Sequence, residues 1–130
     1  MILDIDFHSG VPIYRQIVTQ VQRLILSGIL GEGHQMESVR DLSGRLKVNP
    51  MTISKAYSIL ESEGLLQRRR GIGLFVAPLA ESRKASQGKA LFDALLSDVA
   101  ATAVQMDIDL QQVISGITEH YQKIQSQKEI

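Results

Sequence analysis

Apolar side chains recur at helical spacing along most of this chain, and turn-forming residues separate the helical segments. The first predicted helix runs from about Pro12 to Ser27 and ends at Gly28. Its buried face is predicted to carry Ile13, Ile17, Val21, Leu24 and Ile25. Residues 1–11 before it are predicted to form an extended lead-in with room for a short strand.

The segment from Ser38 to Ala77 predicts two short helices and a hairpin in close succession. Ser38-Val39-Arg40-Asp41 has the spacing of a capping box, and Asn49-Pro50 supplies a cap side chain followed by a proline suited to a first turn. Gly64 is the expected C′ residue of the second helix, which spans about Asn49 to Glu63. This order is that of a winged helix-turn-helix, so the predicted fold class is α+β and mainly helical.

The predicted hairpin consists of strands Leu65 to Arg70 and Leu74 to Ala77 around Gly71-Ile72-Gly73. Gly71 and Gly73 permit the positive φ values of a tight turn and a close approach of backbone to a phosphate. Arg68-Arg69-Arg70 could simply protect a strand edge. Beside a predicted reading helix, contact with phosphates or a minor groove is the favoured interpretation.

Charge is unevenly distributed, although the whole chain carries 14 basic and 14 acidic residues. Basic residues outnumber acidic ones between Arg40 and Arg70, and the balance reverses after Leu79. This asymmetry suits a phosphate-binding surface on one part of the chain only.

Enzyme and metal chemistry find little support in the sequence. There is no cysteine, and His8, His34 and His120 share no ligand spacing. Gly71-Ile72-Gly73 lacks the context of a dinucleotide site, so neither an enzyme nor a cofactor is predicted. No apolar run is long enough to span a membrane, and residues 1–7 carry acids where a signal peptide requires basic charge. The expected location is the cytoplasm, without membrane association.

Pro78 is the predicted boundary between a DNA-binding domain, residues 1–78, and a two-helix tail, residues 79–130. The first tail helix runs from about Ser82 to Met106, and Asp109 with Gln112 can cap the second. Two helices of this length cannot bury both of their apolar stripes, so a second copy of the chain is the expected partner. The predicted dimer residues are Phe92, Leu95, Leu96, Val99, Ala103, Val113, Ile114, Ile117 and Tyr121.

The sequence resembles the GntR superfamily of bacterial transcription regulators, and its YtrA subfamily in particular. The matching segments are Pro12-Ile13-Tyr14, Ser27-Gly28, Ser38-Val39-Arg40-Asp41-Leu42, Val48-Asn49-Pro50-Met51-Thr52-Ile53, Ala56-Tyr57, Leu60-Glu61-Ser62-Glu63-Gly64-Leu65 and Arg69-Arg70-Gly71-Ile72-Gly73-Leu74-Phe75-Val76. Glu37 departs from the family, which usually has a proline there, and the loss of a fixed φ is expected to loosen the start of the next helix.

The resemblance implies a homodimer that binds an inverted-repeat operator and acts as a repressor. It places Arg40 on the DNA backbone, although that arginine could instead pair with Asp41 or Glu37. It also implies that the leading end and exposed face of the second helix, Asn49, Met51, Thr52, Ser54 and Lys55, meet bases and phosphates. Met51 and Lys55 are expected to set base preference, and the hairpin residues Arg68, Arg69, Arg70, Gly71 and Gly73 to contact the backbone or minor groove.

Two alternatives remain open from sequence. One is a ligand sensor that binds a small-molecule effector between the two C-terminal helices, although about 50 residues are too few for the effector domain of the larger relatives. The other is a winged helix that serves only as a protein-interaction scaffold, which would show no salt-dependent affinity for DNA.

Overall fold

The computed structural model describes residues 1–128, and residues 129 and 130, the end of the predicted second domain, lie outside the described part. Residues Met1–Gly88 form one compact unit, and the chain from Lys89 onward forms a second. The elements in chain order are α1 (Ile13–Leu26), α2 (Val39–Leu46), α3 (Pro50–Ser62), β1 (Leu66–Arg69), β2 (Gly73–Val76), α4 (Glu81–Gln105) and α5 (Leu110–Lys128). The predicted mainly helical α+β fold with a winged helix-turn-helix is confirmed.

The lead-in before α1 contains no strand: residues 1–6 have no regular secondary structure, and residues 7–11 form turns and bends. Two glutamines of α1 take the place of a strand partner. The Gln20 side chain accepts from the Asp4 N–H at 2.8 Å and donates to the Asp4 carbonyl at 2.7 Å. Gln16 makes the same pair of bonds with Asp6, at 2.8 and 2.9 Å. Leu3 is thereby held in the core.

Side-chain caps fix the two helices of the helix-turn-helix. The Ser38 hydroxyl accepts from the Asp41 N–H at 3.0 Å, and Asn49 Oδ1 accepts from the Met51 N–H at 2.8 Å. Lys47 turns the chain between the helices with a φ of 56°. Each cap satisfies a backbone donor that the first turn of a helix leaves free, so both predicted helix starts are confirmed.

The hairpin of β1 and β2 is the wing, and its register pairs Leu66 with Val76 and Arg69 with Gly73. A third extended segment, not predicted from sequence, completes it. The Met36 N–H donates to the Leu74 carbonyl at 2.8 Å, and the Val76 N–H donates to the His34 carbonyl at 2.9 Å. The segment before α2 therefore joins the wing to the helix-turn-helix through backbone bonds.

A single apolar core in the first unit joins α1, α2, α3 and the wing. Burial follows the predicted helical stripe of α1, except that Val18 is also buried and Ile13 and Leu24 are only half-buried. The largest side chains in this core that are almost wholly excluded from solvent are Ile17, Val18, Val21, Ile25, Leu42, Ile53 and Leu60. The core holds the inner face of α3 and leaves its outer face to solvent.

The second unit contains most of α4 together with α5. Asp109 and Gln112 form the predicted capping arrangement: the Gln112 N–H donates to Asp109 Oδ1 at 2.8 Å, and the Asp109 N–H donates to Gln112 Oε1 at 3.2 Å. Asp107 makes the turn with a φ of 56°, and the Ile108 N–H donates to the Ala103 carbonyl at 2.9 Å. The break at residues 107–109 therefore ends α4 and separates it from α5.

Substituting Ser38→Ala is expected to lower the free energy of unfolding by about 1 kcal/mol, because the Asp41 N–H loses its cap. Urea unfolding followed by circular dichroism measures the change. The control is Ser54→Ala on the exposed face of α3, which should change the unfolding free energy by less than about 0.5 kcal/mol. Equal losses in the two variants would show that the Ser38 cap contributes nothing.

Candidate nucleic-acid interface

The outer face of α3 is polar and open to solvent. Met51 is 78% exposed, and Ser54, Lys55 and Ser58 are also exposed, whereas Thr52 is half-buried near the helix start. The side chains on the opposite face, Ile53, Ala56, Tyr57 and Leu60, are buried. A helix fixed by its inner face presents the outer side chains at defined positions, which is the property that reading a groove requires.

A cleft of about 340 Å³ separates this face from the wing and the start of α2. We call it the wing cleft. Its polar lining includes Gln35, Ser38, Ser54, Ser58 and Arg68. Sequence reasoning did not place Gln35 and Ser58 on one surface, because only the folded wing brings residues this far apart in sequence together.

The three wing arginines have different surroundings. Arg68 pairs with Glu61 of α3 at 3.3 Å, and the Arg69 guanidinium lies 4.1 Å from the centre of the Phe75 ring. Arg70 is exposed at the turn beside Gly71, and within residues 1–128 it forms no ion pair. Exposed ion pairs are weak, so Arg68 can exchange Glu61 for a phosphate at small cost.

Gly71 and Gly73 have φ values of 77° and 141°, as the predicted tight turn requires. Gln35 supports this turn, since its side chain donates to the Ile72 carbonyl at 3.3 Å. A Cβ at position 73 would lie 3.2 Å from Gln35 Nε2. The contact with Gln35 therefore holds the turn on one side, whereas Gly71 and Ile72 remain exposed to solvent.

Glu37, where the family usually has proline, is held by side-chain bonds. Its carboxylate accepts from Arg45 at 2.6 and 3.1 Å, and its carbonyl accepts from the Tyr57 hydroxyl at 2.8 Å. The bond from Arg45 lowers the pKa of Glu37, whereas burial raises the pKa of Tyr57 and keeps its hydroxyl a donor. These three bonds connect Glu37 to α2 and α3.

Arg40 lies exposed in the first turn of α2, next in sequence to Val39, which lines the wing cleft. Pairing with Glu37 was one alternative for this arginine, but Glu37 pairs with Arg45 instead. Among the described residues, Arg40 also forms no ion pair with Asp41. Its guanidinium is thus open to an external anion.

Lys55 has an intramolecular partner that the sequence did not reveal. Its ammonium lies 3.9 Å from the centre of the Tyr14 ring, and the Arg15 guanidinium lies 5.3 Å from the same centre. Tyr14 belongs to the Pro12-Ile13-Tyr14 motif, so its position was noted, but a motif match carries no information on this contact.

The described residues contain no group of three or more side chains placed to hold a metal ion. None of the helices in residues 1–128 combines the length and apolar character needed to cross a membrane. The features that do converge are a polar helix face, a basic wing and an open cleft between them. They define a winged helix-turn-helix of the nucleic-acid-binding class.

Comparison with known proteins agrees with this class. Residues 13–76 match the family described as "Bacterial regulatory proteins, gntR family". The chain is 32% identical over 117 residues to the HTH-type transcriptional repressor YtrA of Bacillus subtilis, covering 90% of each protein. This chain belongs to the GntR family. The YtrA resemblance is likewise confirmed, and so is the prediction that the chain is a DNA-binding regulator and not an enzyme.

Two solved structures extend the comparison. A GntR family transcriptional regulator from Listeria monocytogenes superposes with a TM-score of 0.72 at 27% identity, covering 87% of this chain and 98% of the other. The crystal structure of the AraR DNA-binding domain in complex with an operator gives a TM-score of 0.52 at 29% identity, covering 58% of this chain and 96% of the other.

Proposed function

We propose that this chain represses transcription in the cytoplasm by binding an inverted-repeat operator as a homodimer. Each subunit inserts α3 into a major groove, while the wing contacts the neighbouring backbone or minor groove. The observation that carries the proposal is the exposed polar face of α3 beside the basic wing across the wing cleft. The similar AraR domain, solved with an operator, supports the same use of the fold.

The contacts divide into two kinds. Arg40, Arg69 and Arg70, with the open backbone at Gly71, supply affinity by binding phosphates. Discrimination comes from the leading end and exposed face of α3, where Met51 and Ser54 face outward. Asn49 and Thr52 lie at the start of that helix, where they meet the DNA backbone at the groove edge.

The dimer is built by the tail. Its apolar stripes remain open to solvent, and Phe92 and Tyr121 are 60% and 66% exposed. The other exposed members of the predicted set are Leu95, Leu96, Val99, Ile114 and Ile117. Ala103 is buried and Val113 is half-buried within the single chain. These two residues therefore offer less surface to a partner than the exposed members of the set. A contiguous apolar surface of this kind needs a partner, and the simplest is a second copy.

Effector sensing is the second candidate, and one observation favours it. A groove of about 420 Å³ lies between α4 and α5. Its lining is mainly apolar, with Asp98, Thr102 and Gln112 as the polar and charged groups. A small molecule bound there would compete with a partner chain for Val99 and Ile117. A reproducible bound ligand that changes DNA affinity would distinguish sensing from plain dimerisation.

The wing provides the test of DNA binding. Arg69→Ala and Arg70→Ala are expected to weaken binding to all DNA sequences and to flatten its salt dependence by about one unit of slope per lost phosphate contact. Fluorescence anisotropy over a salt series, on a site selected from random DNA and on a scrambled duplex, measures both effects.

Arg23→Ala, an exposed arginine near the end of α1, is the matched control and should leave the slope unchanged. Equal salt slopes for the wild type and the wing variants would show that Arg69 and Arg70 do not contact phosphates. A wild-type protein without salt-dependent DNA affinity would instead support the protein-interaction scaffold.

A further inference from the structure

The exposed face of α3 is divided between two neighbouring elements. Successive residues of an α-helix are rotated by about 100°, so Met51 and Ser58 fall on nearly the same line along the helix. Ser54 lies about 50° to one side of this line and Lys55 about 50° to the other. Ser54 and Ser58 line the wing cleft, whereas the Lys55 ammonium rests on Tyr14 of α1.

The contact with Tyr14 fixes where the positive charge of Lys55 is located. A lysine side chain is long and flexible, and its ammonium normally samples many positions. At 3.9 Å from the ring centre, the ammonium is instead attracted to the negative face of the ring. The ring occupies one side of the ammonium and leaves its other N–H groups free to donate.

A second cation lies beside the first. Arg15 is exposed on α1, and its guanidinium is 5.3 Å from the centre of the same ring. Within residues 1–128, neither Lys55 nor Arg15 forms an ion pair that would neutralise its charge. Two unneutralised cations thus lie beside Tyr14 on the α1 side of the reading helix, and Lys55 is the one in close contact with the ring.

We propose that Tyr14 is a positioning residue that holds Lys55 as a phosphate contact, with Arg15 as a second cation at the same place. This inference rests on the proposed DNA-binding function and changes one part of it. Lys55 was expected from sequence to read bases, but the ring holds its charge at the flank of α3. Phosphates border a groove on both sides, so this cluster and the wing bind the two edges of the groove that α3 occupies.

The experiment compares four variants: Tyr14→Phe, Tyr14→Leu, Lys55→Met and the double variant Tyr14→Leu/Lys55→Met. Affinities are measured on the selected site and on a scrambled duplex over a salt series, and base preference is measured by selection from random DNA. Tyr14 is half-buried and packs against the core, so thermal unfolding of each variant is followed as well.

Tyr14→Leu is expected to weaken binding to both duplexes by about two- to five-fold, whereas Tyr14→Phe, which keeps the ring, should bind like the wild type. Lys55→Met should lower the salt slope by about 0.9 for each lost phosphate contact and leave base preference unchanged. The double variant should bind no more weakly than Lys55→Met, because the ring acts through the lysine.

A changed base preference in Lys55→Met would overturn the inference, and so would a Tyr14→Leu loss that persists in full without Lys55. If Tyr14→Leu fails to fold, the slope and base preference of Lys55→Met decide the question alone. None of these outcomes changes the salt slopes expected for the Arg69→Ala and Arg70→Ala variants, so the inference can fail while the proposed function stands. A wild-type protein without sequence-specific binding would overturn both.

Discussion

Replacing Leu95 and Val99 together by lysine is expected to produce a monomer that no longer binds its operator tightly. Both side chains are 40% exposed in the single chain and belong to the apolar stripe proposed to meet a second copy. Burying two charges in an apolar contact without partners costs several kcal/mol, and about 3 kcal/mol already weakens association about a hundredfold. Sedimentation velocity at micromolar concentration measures the change.

The tail offers a matched control for this experiment. Ser97 and Ala101 have the same spacing as Leu95 and Val99, but they lie on the opposite side of α4 and are also exposed. Lysines at these two positions add the same charge and should leave the dimer intact. If the Leu95/Val99 variant remained dimeric, the subunits would have to associate through another surface, and the proposed role of the tail would be wrong.

Inserting five base pairs between the half-sites of the operator is expected to reduce affinity on the order of a hundredfold, because several base contacts are lost together. A two-fold dimer with one reading helix per subunit needs half-sites on one face of the duplex, about 34 Å or ten base pairs apart. With its 25 residues, α4 is about 37 Å long, which is sufficient to span such a separation. Gel-shift titration against spacer variants provides the measurement.

An insertion of ten base pairs controls for the added length. It returns the second half-site to the original face of the duplex, so it distinguishes the effect of rotation about the DNA axis from the effect of added distance. A rigid dimer should bind this site better than the five-pair variant, though less tightly than the unaltered site. Unchanged affinity across all spacers would mean that the two units bind independently, in conflict with the proposed dimer geometry.

The features that sequence predicted well are local ones. The caps at Ser38, Asn49 and Asp109 were predicted because a cap and the N–H that it satisfies lie within three residues of each other. The buried stripe of α3 follows from helical periodicity alone. The wing was placed to within a residue or two, because its glycines mark the turn.

The features that sequence missed all depend on pairs that are distant along the chain. Nothing in the local pattern shows that His34 and Met36 pair with β2, or that Arg45 binds Glu37 and the Met1 carbonyl. The outer face of α3 could be listed from periodicity, but not divided between the wing and α1. That division depends on which neighbours each side chain meets, and only tertiary packing decides it.

The glutamine bonds between α1 and the lead-in illustrate a coincidence of two repeats. Alternate residues of an extended chain are about 6.6 Å apart. Residues i and i+4 of an α-helix are about 6.0 Å apart along the helix axis, so the two spacings nearly coincide. Asp4 and Asp6 therefore match Gln20 and Gln16 when the two segments run in opposite directions. A carboxamide carries one donor group and one acceptor, so it completes a peptide unit as another peptide would. Glutamines every fourth residue can thus dock an extended peptide against a helix without any sheet.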